Sequence, residues 1–261
     1  MAVRAMWKAE ISIDALMVPV KLYSAVQDRS VRFRLLHKTD QMPVMQQMVA
    51  PGRNDPIPAE EIRKGIEIER GVYVMLTSDE LAELEPQESR EIRVEQVIDR
   101  EQLDERWFDR TYYLGPDADT ESYFALSESL AGDNCVAIAR WTMRKKRYAG
   151  ALHGAQGYLV LETLRFANEI VKIDVLRTPP NRAPDDREIS LAEQLISALE
   201  DEFDAASYKD EYREQVLDLV EAKALGNVVT FPKEKVSRRK GSLVASLEAS
   251  LKNGTRAASG S

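Results

Sequence analysis

Apolar and polar residues alternate along the first half of the chain with a period of two. "VPVKLYSAV" puts Val18, Val20 and Leu22 on one side, and "SVRFRLLHK" does the same with Val31, Phe33 and Leu35. Such alternation, rich in β-branched and aromatic side chains, predicts strands buried on one face. "GVYVMLT" and "REIRVEQVI" continue the pattern, and "NCVAIARWTMRKKRYAGALHG" followed by "GYLVLETLRF" predicts a second strand pair. "TDQMPVMQQMVAPGRNDPIPAEE" is punctuated by Pro43, Pro51, Gly52, Pro56 and Pro58. It predicts a long hairpin or an extended arm around 40–58 rather than a packed element. Thr77 to Glu80 and Asp99 to Gln102 have capping-box spacing, which predicts short helices between strands.

The period changes after "RTPPNRAPDD", a linker by its prolines. Ser190 with Glu193 three later is a capping box, and it opens a predicted helix striped by Leu191, Leu195, Leu199 and Phe203. A second helix carries Tyr212, Val216, Leu219 and Val220 on one side and ends at Gly226. Further on, "SLVASLEASLKNG" sets Leu243, Leu247 and Leu251 on one stripe behind the basic "KVSRRKG". The predicted fold class is mixed β and α. A β body over residues 1–176 is followed by a linker over 177–187, an antiparallel helix pair within 188–226 and a basic tail over 227–261.

Composition narrows the class without changing this picture. The chain has 261 residues, 44% of them hydrophobic, enough for a sizeable core. No run of about 18 apolar residues occurs, and the first residues lack the apolar core of a secretory signal. The single cysteine, Cys135, leaves no internal disulfide framework. A soluble, cytoplasmic protein with no membrane partner is expected.

Charge matters more by its placement than by its sum of −8. Asp185 to Glu221 holds thirteen acids against three bases, and Asp55 to Arg110 seventeen against eight. The first 38 residues instead hold seven bases against three acids, and Lys233 to Arg256 seven against two. Basic surface therefore coexists with a negative total, and an anionic partner stays possible.

Catalytic chemistry finds little support. Two histidines, His37 and His153, and one cysteine are too few and too scattered for a zinc site. No GxSxG, P-loop, GxGxxG or HExxH occurs. Cys135 sits in an apolar strand, where a thiol is usually packing material. Acidic "EDEFD", Glu200 to Asp204, reads as a solvated helix face before it reads as a metal site for a nuclease. No catalytic residue, metal or cofactor is expected.

One strip stands out. "RWTMRKKRYAG" carries Arg140, Arg144, Lys145, Lys146 and Arg147, interleaved with Trp141 and Tyr148. On a strand or tight hairpin these cations suit a groove that tracks phosphates, without reading bases. The same run reads equally as the solvated tip of a strand pair. The Leu243/Leu247/Leu251 stripe is similarly open: a fraying end, or a helix that docks in a partner's groove.

Taken in order, these segments resemble the bacterial Ku proteins of DNA double-strand-break repair. The resemblance is carried by "WKAEISIDALMVPVKLYSAVQDRSVRFRLLHK", "EEIRKGIEIERGVYVMLTSDELAELEPQESREI", "WFDRTYYLGPD", "CVAIARWTMRKKRY", "LVLETLRFANEI" and the helical "LAEQLISALEDEFDAASYKDEYREQVLDLVEAK", together spanning roughly Trp7 to Lys223. It implies a Ku-type β-barrel core with an extended arm, followed by a helical C-terminal region. It further implies a non-enzymatic homodimer, closed as a ring around double-stranded DNA ends, that recruits an ATP-dependent end-joining ligase. DNA contacts would then come from Arg32, Arg34, Lys38, Arg53, Arg144, Lys145, Lys146 and Arg147, and partner contacts from Leu243, Leu247 and Leu251. Two departures follow from this chain's own residues. The arm "DQMPVMQQMVAPGRND" has only Arg53 where the family usually carries several Lys and Arg, and "AEISIDAL" brings in Glu10 and Asp14. A weakly charged arm favours a second reading, an adaptor dimer with weak DNA binding that acts through its C-terminal helix.

Overall fold

The computed structural model describes residues 4–132, 134–175 and 183–226. Its centre is a closed barrel of seven strands in the order β1-β2-β6-β9-β8-β7-β5. These are β1 (Trp7–Ile13), β2 (Leu16–Ser24), β5 (Glu91–Asp99), β6 (Phe108–Pro116), β7 (Cys135–Met143), β8 (Lys146–Ala155) and β9 (Tyr158–Leu164). Neighbours pair antiparallel except at the seam, where β1 lies parallel to β5 with Glu10 opposite Glu91. Closure leaves no barrel edge to pair with another chain.

The period-two pattern fills the interior. Ile11, Val18, Val20, Leu22, Ile92, Leu114, Leu152 and Leu159 are fully buried, while the residues between them face outward. One end is filled by helix α2 (Thr120–Ala131), capped by Asp119, whose side chain accepts from the Ser122 N–H. Its buried stripe is Tyr123, Leu126, Ser127 and Leu130. The Tyr123 hydroxyl donates to the Leu114 carbonyl and accepts from the Leu159 N–H at 2.9 Å, tying β6 to β9. Two glycines on the inner side of β8 make room: a Cβ on Gly150 would lie 2.7 Å from the Trp141 ring, and one on Gly154 would collide with α2.

The excursion between β2 and β5 is exposed. "SVRFRLLHK" is not a strand: it makes one isolated bridge, Leu36 to Pro43, and Phe33 and Leu35 stand open to solvent. A second bridge, Val49 to Pro56, closes the proline-rich loop. Strands β3 (Lys64–Glu69) and β4 (Val72–Leu76) form a separate two-stranded sheet with almost no burial. Helix α1 (Ser78–Glu83) follows, with the predicted Thr77/Glu80 capping box formed. The Asp99 spacing instead yields a 3-10 turn, because its side chain bonds the N–H only two residues on.

Residues 30–33 and 174–261 cluster as a second unit. Its helix α3 (Asp186–Ser197) starts earlier than Ser190 predicts: Asp185 and Glu188 form the capping box, directly after Pro184. It also stops before Leu199 and Phe203, which are exposed, so the four-residue stripe and the helical face at Glu200–Asp204 are not realised. Helix α4 (Glu211–Ala224) leaves Tyr212, Leu217 and Val220 exposed, and none of its residues is buried. Gly226 follows with φ of 78°, as a helix-ending glycine requires. Leu243, Leu247 and Leu251, and the tail that carries them, lie outside the described residues. No helix among the described residues is long and apolar enough to cross a membrane.

Candidate nucleic-acid interface

The basic strip is two strands and a turn rather than one strand. Met143 pairs with Lys146, so Arg144 and Lys145 alone connect β7 to β8. Both take positive φ, 49° and 63°, the conformation of the type I′ turn that suits the twist of a hairpin. Neither is a glycine or asparagine, so the turn is strained at two consecutive cations.

Ladder register then sorts the side chains. Arg147 lies opposite Thr142, and Arg140 opposite Ala149, on the outward face. Lys146 shares the inner face with Met143, but at the last rung, where it reaches solvent. Beneath it on that face, Trp141 and Tyr148 stack with ring centroids 5.5 Å apart, and Trp141 is 4% exposed. The aromatic pair is core, closing the barrel mouth under a cationic tip.

The register also brings in a cation that sequence reading missed. Arg93 of β5 is the direct partner of Arg140 on β7. Like charges directly opposite are unfavourable, and two carboxylates offset them. Glu91 holds Arg93 at 3.2 Å, and Glu95 holds Arg140 at 3.1 Å. Glu95 is the extra residue of a β-bulge between Val94 and Gln96, and the bulge re-aims its side chain. The Glu91 pair holds the Arg93 guanidinium above its ordinary pKa and, with Ser12, the Glu91 carboxyl below its own. At the turn, Lys145 binds Glu85 at 2.7 Å, and this contact raises the ammonium pKa. Arg144, Lys146 and Arg147 have no ion-pair partner among the described residues.

The other four expected cations lie outside this hairpin in the chain. Arg34 and Lys38 are exposed on the segment after β2, where His37 and Asp40 pair at 2.8 Å. Arg53 is exposed in the loop that Val49 and Pro56 close, with its N–H on the Ala50 carbonyl. Arg32 belongs to the second unit and carries polar interactions of its own. Elsewhere on the arm several exposed side chains are apolar, among them Met42, Val44, Met45 and Met48.

Two further features bound the chemistry. A groove of about 1450 Å³ on the outer face of β2, β6, β8 and β9 is lined by Tyr23, Tyr113 and Tyr158. Its floor holds Glu162 between the Arg100 guanidinium at 3.5 Å and the His153 ring at 3.3 Å. Nearby, Asp117 is clamped by Lys21 at 2.5 Å and Lys8 at 3.0 Å, contacts that hold its carboxyl below the ordinary range. Among the described residues no three His, Cys, Asp or Glu converge as metal ligands.

Comparison with known proteins fits this architecture. Residues 12–191 match the family model described as the Ku70/Ku80 beta-barrel domain. The chain is 34% identical over 254 residues to "Non-homologous end joining protein Ku 2" of Geotalea uraniireducens (strain Rf4), covering 97% of this chain and 99% of that one. It is 33% identical to "Non-homologous end joining protein Ku" of Anaeromyxobacter sp. (strain K), covering 95% of this chain and 85% of that one. For the protein of the same name in Bacillus subtilis (strain 168), the identity is 30%, with 94% of this chain and 81% of that one covered.

Proposed function

Because this chain belongs to the Ku family, we propose that it binds the ends of double-stranded DNA in non-homologous end joining, without sequence preference and without catalysis. The observation that carries this reading is the hairpin tip at Arg144–Arg147. It sets four consecutive exposed cations on a closed, rigid barrel, three of them without a resident counter-ion among the described residues. Such a tip suits phosphate contacts, which position a duplex without reading its sequence.

In this proposal two copies of the chain close a ring around the duplex, and the ring recruits an ATP-dependent end-joining ligase. Arg34, Lys38 and Arg53 on the excursion, and Arg32, supply further phosphate contacts. Leu243, Leu247 and Leu251 engage the partner ligase. The site of action is cytoplasmic, on the nucleoid. Topology then adds to electrostatics, since a threaded ring leaves only by sliding off an end.

A competition gel shift tests the reading, with a linear duplex of roughly 40 base pairs against excess supercoiled plasmid at two salt concentrations. A plasmid that fails to compete supports the threaded ring. Equal competition makes the hairpin tip an ordinary phosphate patch. A second reading, an adaptor dimer with weak DNA binding that acts through its C-terminal helix, is favoured by the apolar arm around Met42–Met48. Absence of binding at low salt would select it.

A further inference from the structure

Half of the cations around the hairpin tip already hold an oxyanion. Lys145 is paired with Glu85 at 2.7 Å, Arg140 with Glu95 at 3.1 Å and Arg93 with Glu91 at 3.2 Å. Arg144, Lys146 and Arg147, in the turn and at the start of β8, carry no such partner among the described residues. Glu91 lies two residues from Arg93 on β5, but the other two carboxylates come from elsewhere in the chain. Glu85 lies in the segment after α1, and Glu95 is turned toward Arg140 by the β5 bulge. Sequence alone predicts none of these pairings.

Carboxylate and phosphate compete for the same guanidinium and ammonium donors. An exposed pair of this kind is weak: Lys145 and Glu85 are 61% and 37% exposed, so a phosphate held in place by neighbouring contacts displaces the carboxylate, whereas a lone anion has no such hold. Displacement has a consequence nonetheless. The freed Glu85 or Glu95 then stands beside the polyanion and holds a counter-ion of its own. A paired cation therefore releases fewer ions on binding than the ~0.9 per phosphate of an unopposed one.

We infer that Glu85 and Glu95 are resident competitors for the DNA phosphates, occupying Lys145 and Arg140 in the free protein and setting a threshold that only a dense polyanion such as duplex DNA overcomes. The inference deepens the end-binding reading and rests on it. Glu85 and Glu95 act through their partners and do not touch the duplex themselves. Isolated anions, such as free nucleotides, meet an occupied site. A duplex, which presents several phosphates at once, displaces both carboxylates while Arg144, Lys146 and Arg147 anchor it.

The test measures duplex affinity and its salt dependence for the full chain, Glu85→Gln, Glu95→Gln and the double variant. The control is Glu101→Gln, which makes the same charge change in the 3-10 turn just past the far end of β5, away from the tip. Each tip variant should bind roughly two- to five-fold tighter at about 100 mM salt, with a salt slope steeper by up to about one unit. The control should move far less. In a Lys145→Ala background the gain from Glu85→Gln should vanish, because its partner is gone. A tip variant no tighter than the control, or a gain that persists without Lys145, overturns the inference while leaving end binding intact. Failure of every form to bind duplex overturns the end-binding reading, and this inference with it.

Discussion

A Cβ placed on Gly154 would stand 2.1 Å from the carbonyl oxygen of Ser127, so β8 and α2 meet at a distance only glycine allows. The neighbours are backbone atoms, Ser127 O and Ala131 N, which cannot rotate away as a side-chain end would. Gly154→Ala is expected to lower unfolding stability by about 3 kcal/mol, the upper end for overpacking. Gly157→Ala meets nothing within 4 Å but carries a φ of 79°, and should cost about 1–2 kcal/mol. Chemical denaturation of the two variants checks the order.

Tyr123 is the second fastener of the plugged end. Its hydroxyl bridges the Leu114 carbonyl and the Leu159 N–H inside the core. Tyr123→Phe leaves both backbone groups without that partner and should destabilise the barrel by about 1–3 kcal/mol. Hydrogen exchange at the Leu159 amide should speed up more than at Ile11, which lies across the barrel.

Asp117 gives the acid limb of stability a defined origin. Lys21 and Lys8 hold its folded-state pKa below the unfolded value, so the pair stabilises the fold above that unfolded value, near about 4, and the contribution is lost as pH falls further. Asp117→Asn should therefore be less stable than the parent at pH 7 and converge with it at strongly acid pH. Denaturant midpoints across that range read the convergence directly.

At the hairpin tip, Arg144→Ala, Lys146→Ala and Arg147→Ala should each weaken duplex binding equally across sequences. Each should also lower the salt slope by about one unit. An unchanged slope in both Arg144→Ala and Lys146→Ala would place the phosphate contacts elsewhere.

The same tip trades stability for charge. Arg144 and Lys145 adopt φ of 49° and 63°, where asparagine and glycine are relaxed. Arg144→Asn combined with Lys145→Gly should raise stability by about 1–2 kcal/mol by relieving this strain, yet weaken DNA binding. A thermal melt and a binding isotherm on one preparation test both halves.

Much of the barrel was legible from alternation alone, because β2, β5 and β7 each bury one face against a common core. The pattern does not reveal whether a strand finds a partner. Val31, Phe33 and Leu35 alternate as cleanly as Val18, Val20 and Leu22, yet make no ladder. Arg144-Lys145 lacks the Asn-Gly signature of a two-residue turn, so the sequence leaves a strand and a tight hairpin equally open there. Helix α2 was missed although Tyr123, Leu126, Ser127 and Leu130 have helical spacing; its cap, Asp119, was the available signal. The sequence offers two boxes of equal spacing, Asp185 to Glu188 and Ser190 to Glu193, and the one next to Pro184 forms. Of the site, the cationic run was plain in the sequence. Arg93 and the carboxylates that hold Lys145 and Arg140 depend on register and a bulge, which no local pattern encodes.

The parallel seam between β1 and β5 has a consequence for inheritance. To the barrel, everything between Ser24 and Glu91 is one long loop, and the β1–β5 ladder holds its far end. Loop-closure entropy grows only logarithmically, by about 0.6 kcal/mol per doubling of length. Descendants of such a scaffold are free to lengthen, shorten or recolour the excursion at almost no thermodynamic penalty. A methionine-studded arm and a lysine-studded one are then alternative fittings on the same chassis, and divergence can explore them without refolding the core.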